Sequence, residues 1–314
     1  MRKSRLHGWT WTALAGAVLW GVGFGTAAEP RPEVEITRNV SYYEGPDADP
    51  VRHKLDILAP KGGKDRPVLF LVHGGAWMAG SKDWGGLYAA VGKHFAEMGY
   101  VVVLPNYRLS PQVQHPEHIK DVARAVAWTH RHIAQYGGQP DQIFLCGHSA
   151  GGHLVALLAT DERYLKAEGL KPDIIKGVIA VSGVYRILDL NWDVQVQVQT
   201  PTVQVMVDTK DMHWLPGRMI FGTDPRVRRE ASPIHHVKPG LPPFLILYAQ
   251  RDLLTLPLMA RNFHAALKEA DNDADIWQVP QRNHFSIMFS AATPDDPVAR
   301  KMTEFMKQHA AAKH

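Results

Sequence analysis

One cysteine, Cys146, is all that the 314-residue chain contains. A disulfide inside the protein is therefore excluded, and so is a zinc site built on paired cysteines. The HExxH pattern of zinc hydrolases is missing too, and neither His130-Arg131-His132 nor His235-His236 has the neighbours that make a histidine run a metal site. No GxxxxGK[ST] loop is present to cradle a nucleotide phosphate. Acidic residues are absent before Glu29, where Arg2, Lys3 and Arg5 make the start positive. The apolar stretch that follows, Trp9 to Phe24, falls short of the roughly 20 residues that span a bilayer.

Thr26-Ala27-Ala28 closes that stretch with small residues, so residues 1–28 read as an export signal. An uncleaved membrane anchor is the alternative reading, and either one puts the body of the chain outside the cytoplasm. With the signal removed, Lys and Arg fall from 35 to 32 against 31 acidic residues, and the net charge falls from +4 to +1. The basic balance therefore offers no reason to expect nucleic acid as a partner, and the mature chain is expected to carry no stable membrane span.

What is present is a sequence of short apolar runs separated by helical patterns. Val68 to Val72, Tyr100 to Leu104, Ile143 to Cys146, Val178 to Val181 and Phe244 to Tyr248 lack polar alternation and read as parallel strands covered on both faces. Leu87 to Met98, Ile119 to Tyr136, Leu154 to Leu158, Leu258 to Ala270 and Val298 to His309 supply the helices. Val34 to Tyr42 and His53 to Leu58 alternate like antiparallel edge strands. With 45% hydrophobic and 21% charged residues and no linker, residues 29–314 read as a single α/β domain. The stretch 188–229 interrupts the rhythm after the sixth strand: Val194, Val196, Val198 and Val203, Val205, Val207 alternate as a hairpin would, in an insertion that forms a cap or a lobe.

Within this frame Gly147-His148-Ser149-Ala150-Gly151 falls where an apolar strand turns into a helix. A nucleophile on so tight a turn has a strained backbone that only small neighbours tolerate, which accounts for Gly147 and Gly151. The hydroxyl of Ser149 needs a base and an acid to activate it, and in such an arrangement they follow the serine, acid first, on loops after later strands. Asp252 directly after Phe244 to Tyr248, and His284 after Asp275 to Val279, meet that requirement. Asp271, Asp273 and Asp275 lie at the opposite end of the last strand, and His309 and His314 belong to the terminal helix or tail. A helix cap at Asp252 and a surface loop residue at His284 are the competing readings. Upstream, Val72-His73-Gly74-Gly75-Ala76-Trp77 follows a strand, and its paired glycines let backbone N–H groups approach a substrate oxygen. Gly74, Gly75 and the amide of Ala150 are the expected oxyanion donors, with His73 as a structural residue. Trp84, Trp192 and Trp214 read as packing residues rather than a sugar platform.

These residues, together with Asn106-Tyr107-Arg108-Leu109, resemble the α/β-hydrolase esterases with an HGG oxyanion motif, a group that includes hormone-sensitive-lipase-like carboxylesterases, feruloyl and acetyl xylan esterases and kynurenine formamidases. The likeness runs from about Val51 onward. Gly80-Ser81-Lys82-Asp83 and Asn283-His284-Phe285-Ser286 bring it nearest to the feruloyl and acetyl esterase or formamidase type, while Ala76 replaces the third glycine of lipase-like relatives. The resemblance implies a mostly parallel sheet of about eight strands with helices on both faces. It also implies a serine hydrolase of small-molecule or carbohydrate-linked carboxylic esters, working without metal or organic cofactor. An amidase acting on an N-formyl group and a non-catalytic binding protein are the alternatives.

Overall fold

The computed structural model describes residues 31–188, 195–199, 204–208 and 216–310. The leader segment 1–28, Val194, Val203, Trp192 and Trp214 lie outside them. In chain order the elements are β1 Val34–Ser41, β2 Lys54–Pro60, β3 Arg66–Val72, α1 Leu87–Glu97, β4 Val101–Pro105, α2 Glu117–His132, β5 Gly138–His148 and α3 Ala150–Thr160. There follow α4 Arg163–Ala167, β6 Ile175–Val181, β7 Gln195–Gln199, β8 Gln204–Asp208, α5 Pro216–Phe221 and α6 Pro225–Glu230. The chain then runs through β9 Phe244–Arg251, α7 Leu256–Glu269, β10 Ala274–Asn283, α8 Ser286–Phe289 and α9 Pro297–His309.

Eight strands form one sheet in the order β1-β2-β4-β3-β5-β6-β9-β10. From β4 to β10 neighbouring strands are parallel, whereas β1–β2 and β2–β4 are antiparallel. Each unbroken apolar run divides its side chains between the two faces: Val68, Phe70 and Val72 of β3 enter one core, Leu69 and Leu71 the other. Helices α2, α3 and α7 cover the first face, and α1 and α9 the second. In α2 the spacing of Ile119, Val122, Ala123 and Val126 puts four apolar side chains on one stripe, all buried. Helix α9 starts where Asp296 accepts a hydrogen bond from the Val298 amide with Pro297 in the first turn.

One strand departs from the expectation. β2 is an interior strand rather than an edge, and six of its seven residues are buried. The polar residue that produced its alternation, Asp56, is itself inside, held by Lys82 at 2.6 Å and by the Asn39 amide at 2.7 Å. A paired charge satisfies burial while reading as solvent-facing in sequence.

The insertion contains the expected hairpin, with β7 and β8 antiparallel in the register Val196↔Val207 and Val198↔Val205. Its far end belongs to the body. Phe221 packs its ring on Trp77 at 5.1 Å, and the buried Arg228 donates to the carbonyls of Leu188 and Gly222.

Candidate active site

The turn between β5 and α3 holds Ser149 at φ 55° and ψ −117°, a conformation with a left-handed φ on a residue that has a Cβ. Glycines surround it because backbone occupies the space. A Cβ on Gly147 would stand 2.2 Å from the Gly151 carbonyl oxygen, and one on Gly151 would stand 2.2 Å from the Val72 carbonyl oxygen. The Ser149 amide bonds the Val181 carbonyl at 2.9 Å, tying the turn to β6.

Three distant residues meet at this turn. His284 Nδ1 lies 2.7 Å from Asp252 Oδ1, and His284 Nε2 lies 3.0 Å from Ser149 Oγ. A carboxylate only accepts, so Nδ1 carries the ring proton and Nε2 is free to accept from the serine hydroxyl. Asp252 sits just beyond β9 and His284 just beyond β10, whose parallel pairing brings both loops to the same sheet end. His284 is held by a reciprocal turn in which Asn283 Oδ1 accepts from the amides of Phe285 and Ser286 while Ser286 Oγ accepts from the Asn283 amide.

The carboxylate of Asp252 is fully committed. Oδ1 accepts from His284 and the Leu253 amide, and Oδ2 from the Ser182 hydroxyl and the Ala249 amide. Burial pushes this carboxyl up, but the bonds from His284, Ser182 and the two amides outweigh burial and hold it below the usual value. Ser182, buried at φ 48° at the end of β6, has no signature in the sequence. It lies 70 residues from the aspartate it supports, and only the β6–β9 pairing places it there.

The oxyanion loop differs from expectation at one residue. The Gly74 amide already donates to the Tyr88 hydroxyl at 2.8 Å, inside the protein, so it is not a free donor. Its glycine serves a steric purpose instead, because a Cβ there would stand 2.9 Å from the His148 carbonyl oxygen and 3.1 Å from the Ser149 Cβ. The amides of Gly75, at φ 119°, of Ala76, at φ 52°, and of Ala150 have no acceptor among the described residues. His73 Nδ1 donates to the Gly74 carbonyl at 2.7 Å. Since that carbonyl and the Gly75 N–H share one rigid peptide plane, His73 also fixes the direction of the Gly75 donor. Burial holds His73 down at about 4, and its ring stacks on Tyr107 at 4.3 Å.

The chain beside the acid and the base exposes apolar side chains. Leu253 and Leu254, next to the acid, and Phe285, next to the base, are exposed by 55%, 100% and 58%. A cavity of about 490 Å³ between α2, α4 and α6 contains none of these residues. Its cations Lys120, Arg124 and Arg163 are already paired with Glu117, Asp121 and Asp161. Among the described residues no group of three or more His, Cys, Asp or Glu side chains is arranged to hold a metal ion. Cys146 is buried, and burial pushes its thiol up, away from the reactive thiolate.

Residues 55–267, more than half of the chain, match the family model described as BD-FAE. The chain belongs to the BD-FAE family of α/β-hydrolase carboxylesterases. Among curated proteins, this BD-FAE member is 31% identical to the probable carboxylic ester hydrolase LipM of Mycobacterium tuberculosis, over 96% of this chain and 70% of that protein. It is 34% identical to the esterase LipC of the same organism, over 78% of this chain but only 59% of that protein. Among solved structures, a truncated carbohydrate esterase from gut microbiota superposes with a TM-score of 0.68 at 22% identity, covering 90% of this chain and 98% of that one. At that identity the likeness speaks for the fold, the eight-stranded α/β-hydrolase sheet.

Proposed function

We propose that this BD-FAE member is an exported serine esterase that cleaves carboxylic esters through an acyl-enzyme on Ser149. The observation that carries the reading is the continuous hydrogen-bond line Asp252–His284–Ser149, at 2.7 and 3.0 Å, ending on a serine with a left-handed φ. Ser149 Oγ bonds to the ester carbonyl carbon while its proton passes to His284 Nε2. The negative oxygen formed in that step is met by the amides of Gly75, Ala76 and Ala150, the last at the N-terminus of α3 where the helix dipole adds to the donor. Asp252 keeps the imidazole in the tautomer that can accept and stabilises it once charged. The tetrahedral species then expels the alcohol, which takes the proton back from His284, and a water deprotonated by the same nitrogen releases the acid.

The exposed leucines and Phe285 beside the acid and base favour esters with an apolar or aromatic part, in keeping with short acyl, acetyl or feruloyl groups, and the carbohydrate esterase among the structural relatives favours a sugar-linked alcohol. The positive, acid-free start of the chain supports export to the periplasm or beyond. The test compares acetyl, butyryl and feruloyl esters with N-formylkynurenine, using wild-type protein and Ser149→Ala. Ester turnover that falls by about 10⁴-fold or more in the variant is expected. Equal turnover by the two proteins, or faster cleavage of the formamide, refutes the assignment.

A further inference from the structure

Behind the nucleophile runs a second line of hydrogen bonds that acyl transfer does not use directly. It joins the oxyanion loop to the backbone of the base, and its direction is forced at both ends. The His284 carbonyl can only accept, so the His148 ring nitrogen 2.7 Å from it, Nε2, must carry a proton. Burial holds His148 down at about 4, so the ring is neutral and its Nδ1 is a bare lone pair. That lone pair lies 3.1 Å from the Tyr88 hydroxyl, which must therefore donate. Burial pushes the Tyr88 phenol up, so the hydroxyl keeps its proton. Its oxygen in turn accepts the Gly74 N–H at 2.8 Å. Gly74, Tyr88 and His148 are all buried, and every proton in the line is accounted for with one neutral imidazole.

We propose that Tyr88 and His148 are positioning residues that lock the oxyanion loop and the catalytic base onto one frame, fixing the distance between the amide donors and His284 while charge builds at both. This rests on Ser149 being the nucleophile and His284 its base. The frame matters because the two parts belong to loops 210 residues apart, Gly74 and His284, and this line of hydrogen bonds joins them directly. A neutral histidine suits the position better than a cation, since its ring centroid lies 4.9 Å from that of His284, which becomes positive in the reaction. It also donates and accepts in diverging directions, which the two fixed partners require.

The experiment compares the full chain as wild type, Tyr88→Phe, His148→Leu, the double variant and His148→Gln, assayed well below each protein's unfolding midpoint. Each of the first two single changes is expected to lower kcat by about 10- to 100-fold with KM within about twofold, as a small misplacement of catalytic groups does. The double variant should be no worse than the weaker single variant, because one line is broken once or twice. His148→Gln, whose amide both donates and accepts, should recover most of the loss. Losses that multiply in the double variant, losses confined to KM, or a Gln variant as poor as Leu would overturn the proposal. If Tyr88→Phe does not fold, ¹⁵N NMR of the histidine-labelled wild type decides: protonated Nε2 with bare Nδ1 on His148 supports the line, and the opposite tautomer or an imidazolium at neutral pH refutes it. Labelling of wild-type Ser149 with an organophosphonate separates the two levels. No labelling brings down the esterase mechanism itself, whereas normal labelling with variants that turn over like wild type brings down only the frame.

Discussion

Asp252 shows how a single carboxylate is set for its task by partners that the chain does not announce. Four donors fill its lone pairs, two of them main-chain amides fixed by the end of β9, so the ion is oriented before substrate arrives. Converting it to Asn keeps the size but replaces one of two accepting oxygens by an amide that donates, so the His284 tautomer is no longer fixed, and kcat should drop by about 10⁴-fold. Ser182→Ala removes one donor of the four and leaves the tautomer intact. A charged hydrogen bond contributes about 1.5–3 kcal/mol, so the expected loss is about 10- to 100-fold in kcat, well short of the Asn variant. Steady-state kinetics on one ester gives both numbers, and a Ser182→Ala enzyme as damaged as Asp252→Asn would mean that the serine does more than orient. At Gly75, a Cβ would meet the Ala79 carbonyl oxygen at 2.1 Å, so even alanine there must displace the loop and its donors.

The oxyanion loop as an element is fastened from beneath. Lys82, nearly buried, places Nζ 2.6 Å from Asp56 on β2, and its amide donates to Asn106 Oδ1 at 2.6 Å at the end of β4. The loop is thus pinned to two strands within a few residues of its donors. Lys82→Met keeps the length of the side chain but leaves Asp56 inside the protein with the Asn39 amide and the exposed Arg38, at 3.6 Å, as its remaining partners. Breaking one side of a buried pair costs about 3–5 kcal/mol, and urea denaturation should register a loss near the lower figure because Arg38 compensates in part. A change below about 1 kcal/mol would show the pair to be effectively solvated. The helix α3 that follows Ser149 depends in the same way on close approach: Gly152 on it would place a Cβ 3.0 Å from the Gly183 Cα.

For the whole molecule, the abundant histidines set the response to acid. His73, His118, His148 and His153 are held down at about 4, and His115 at about 3, in each case chiefly by burial. Their hydrogen bonds fit the neutral ring, as where His153 Nε2–H donates to the Ala231 carbonyl and Nδ1 accepts from the Trp77 indole. In the unfolded chain each takes up a proton near pH 6.5, whereas the folded protein refuses it until about pH 4. The unfolded state therefore binds more protons in that window, and stability must fall as pH drops through it. Several kcal/mol per pH unit is the expected slope between about pH 6 and 4.5, seen as a falling urea midpoint. A midpoint that stays level down to pH 4.5 would mean that these rings are charged or hydrated in the native state.

The sequence by itself determined the order of elements and the sheet of buried parallel strands, and it singled out Ser149, Asp252 and His284, which the fold brings within hydrogen-bond distance of one another, because each has a local reason that can be read in one stretch of chain. A run without polar alternation must be covered on both faces, and a serine between two glycines at a strand end must lie on a tight turn. What only the tertiary structure decided are the partners that strand pairing brings from elsewhere. Asp56 made β2 look like an edge because nothing local says that Lys82 will meet it inside. Gly74 looked like an oxyanion donor because nothing near it in sequence says that its N–H is already taken by Tyr88, and Ser182 became visible only when β6 was laid beside β9. Patterns of burial repeat along a chain and can be read from it, whereas a hydrogen bond is a property of two places at once.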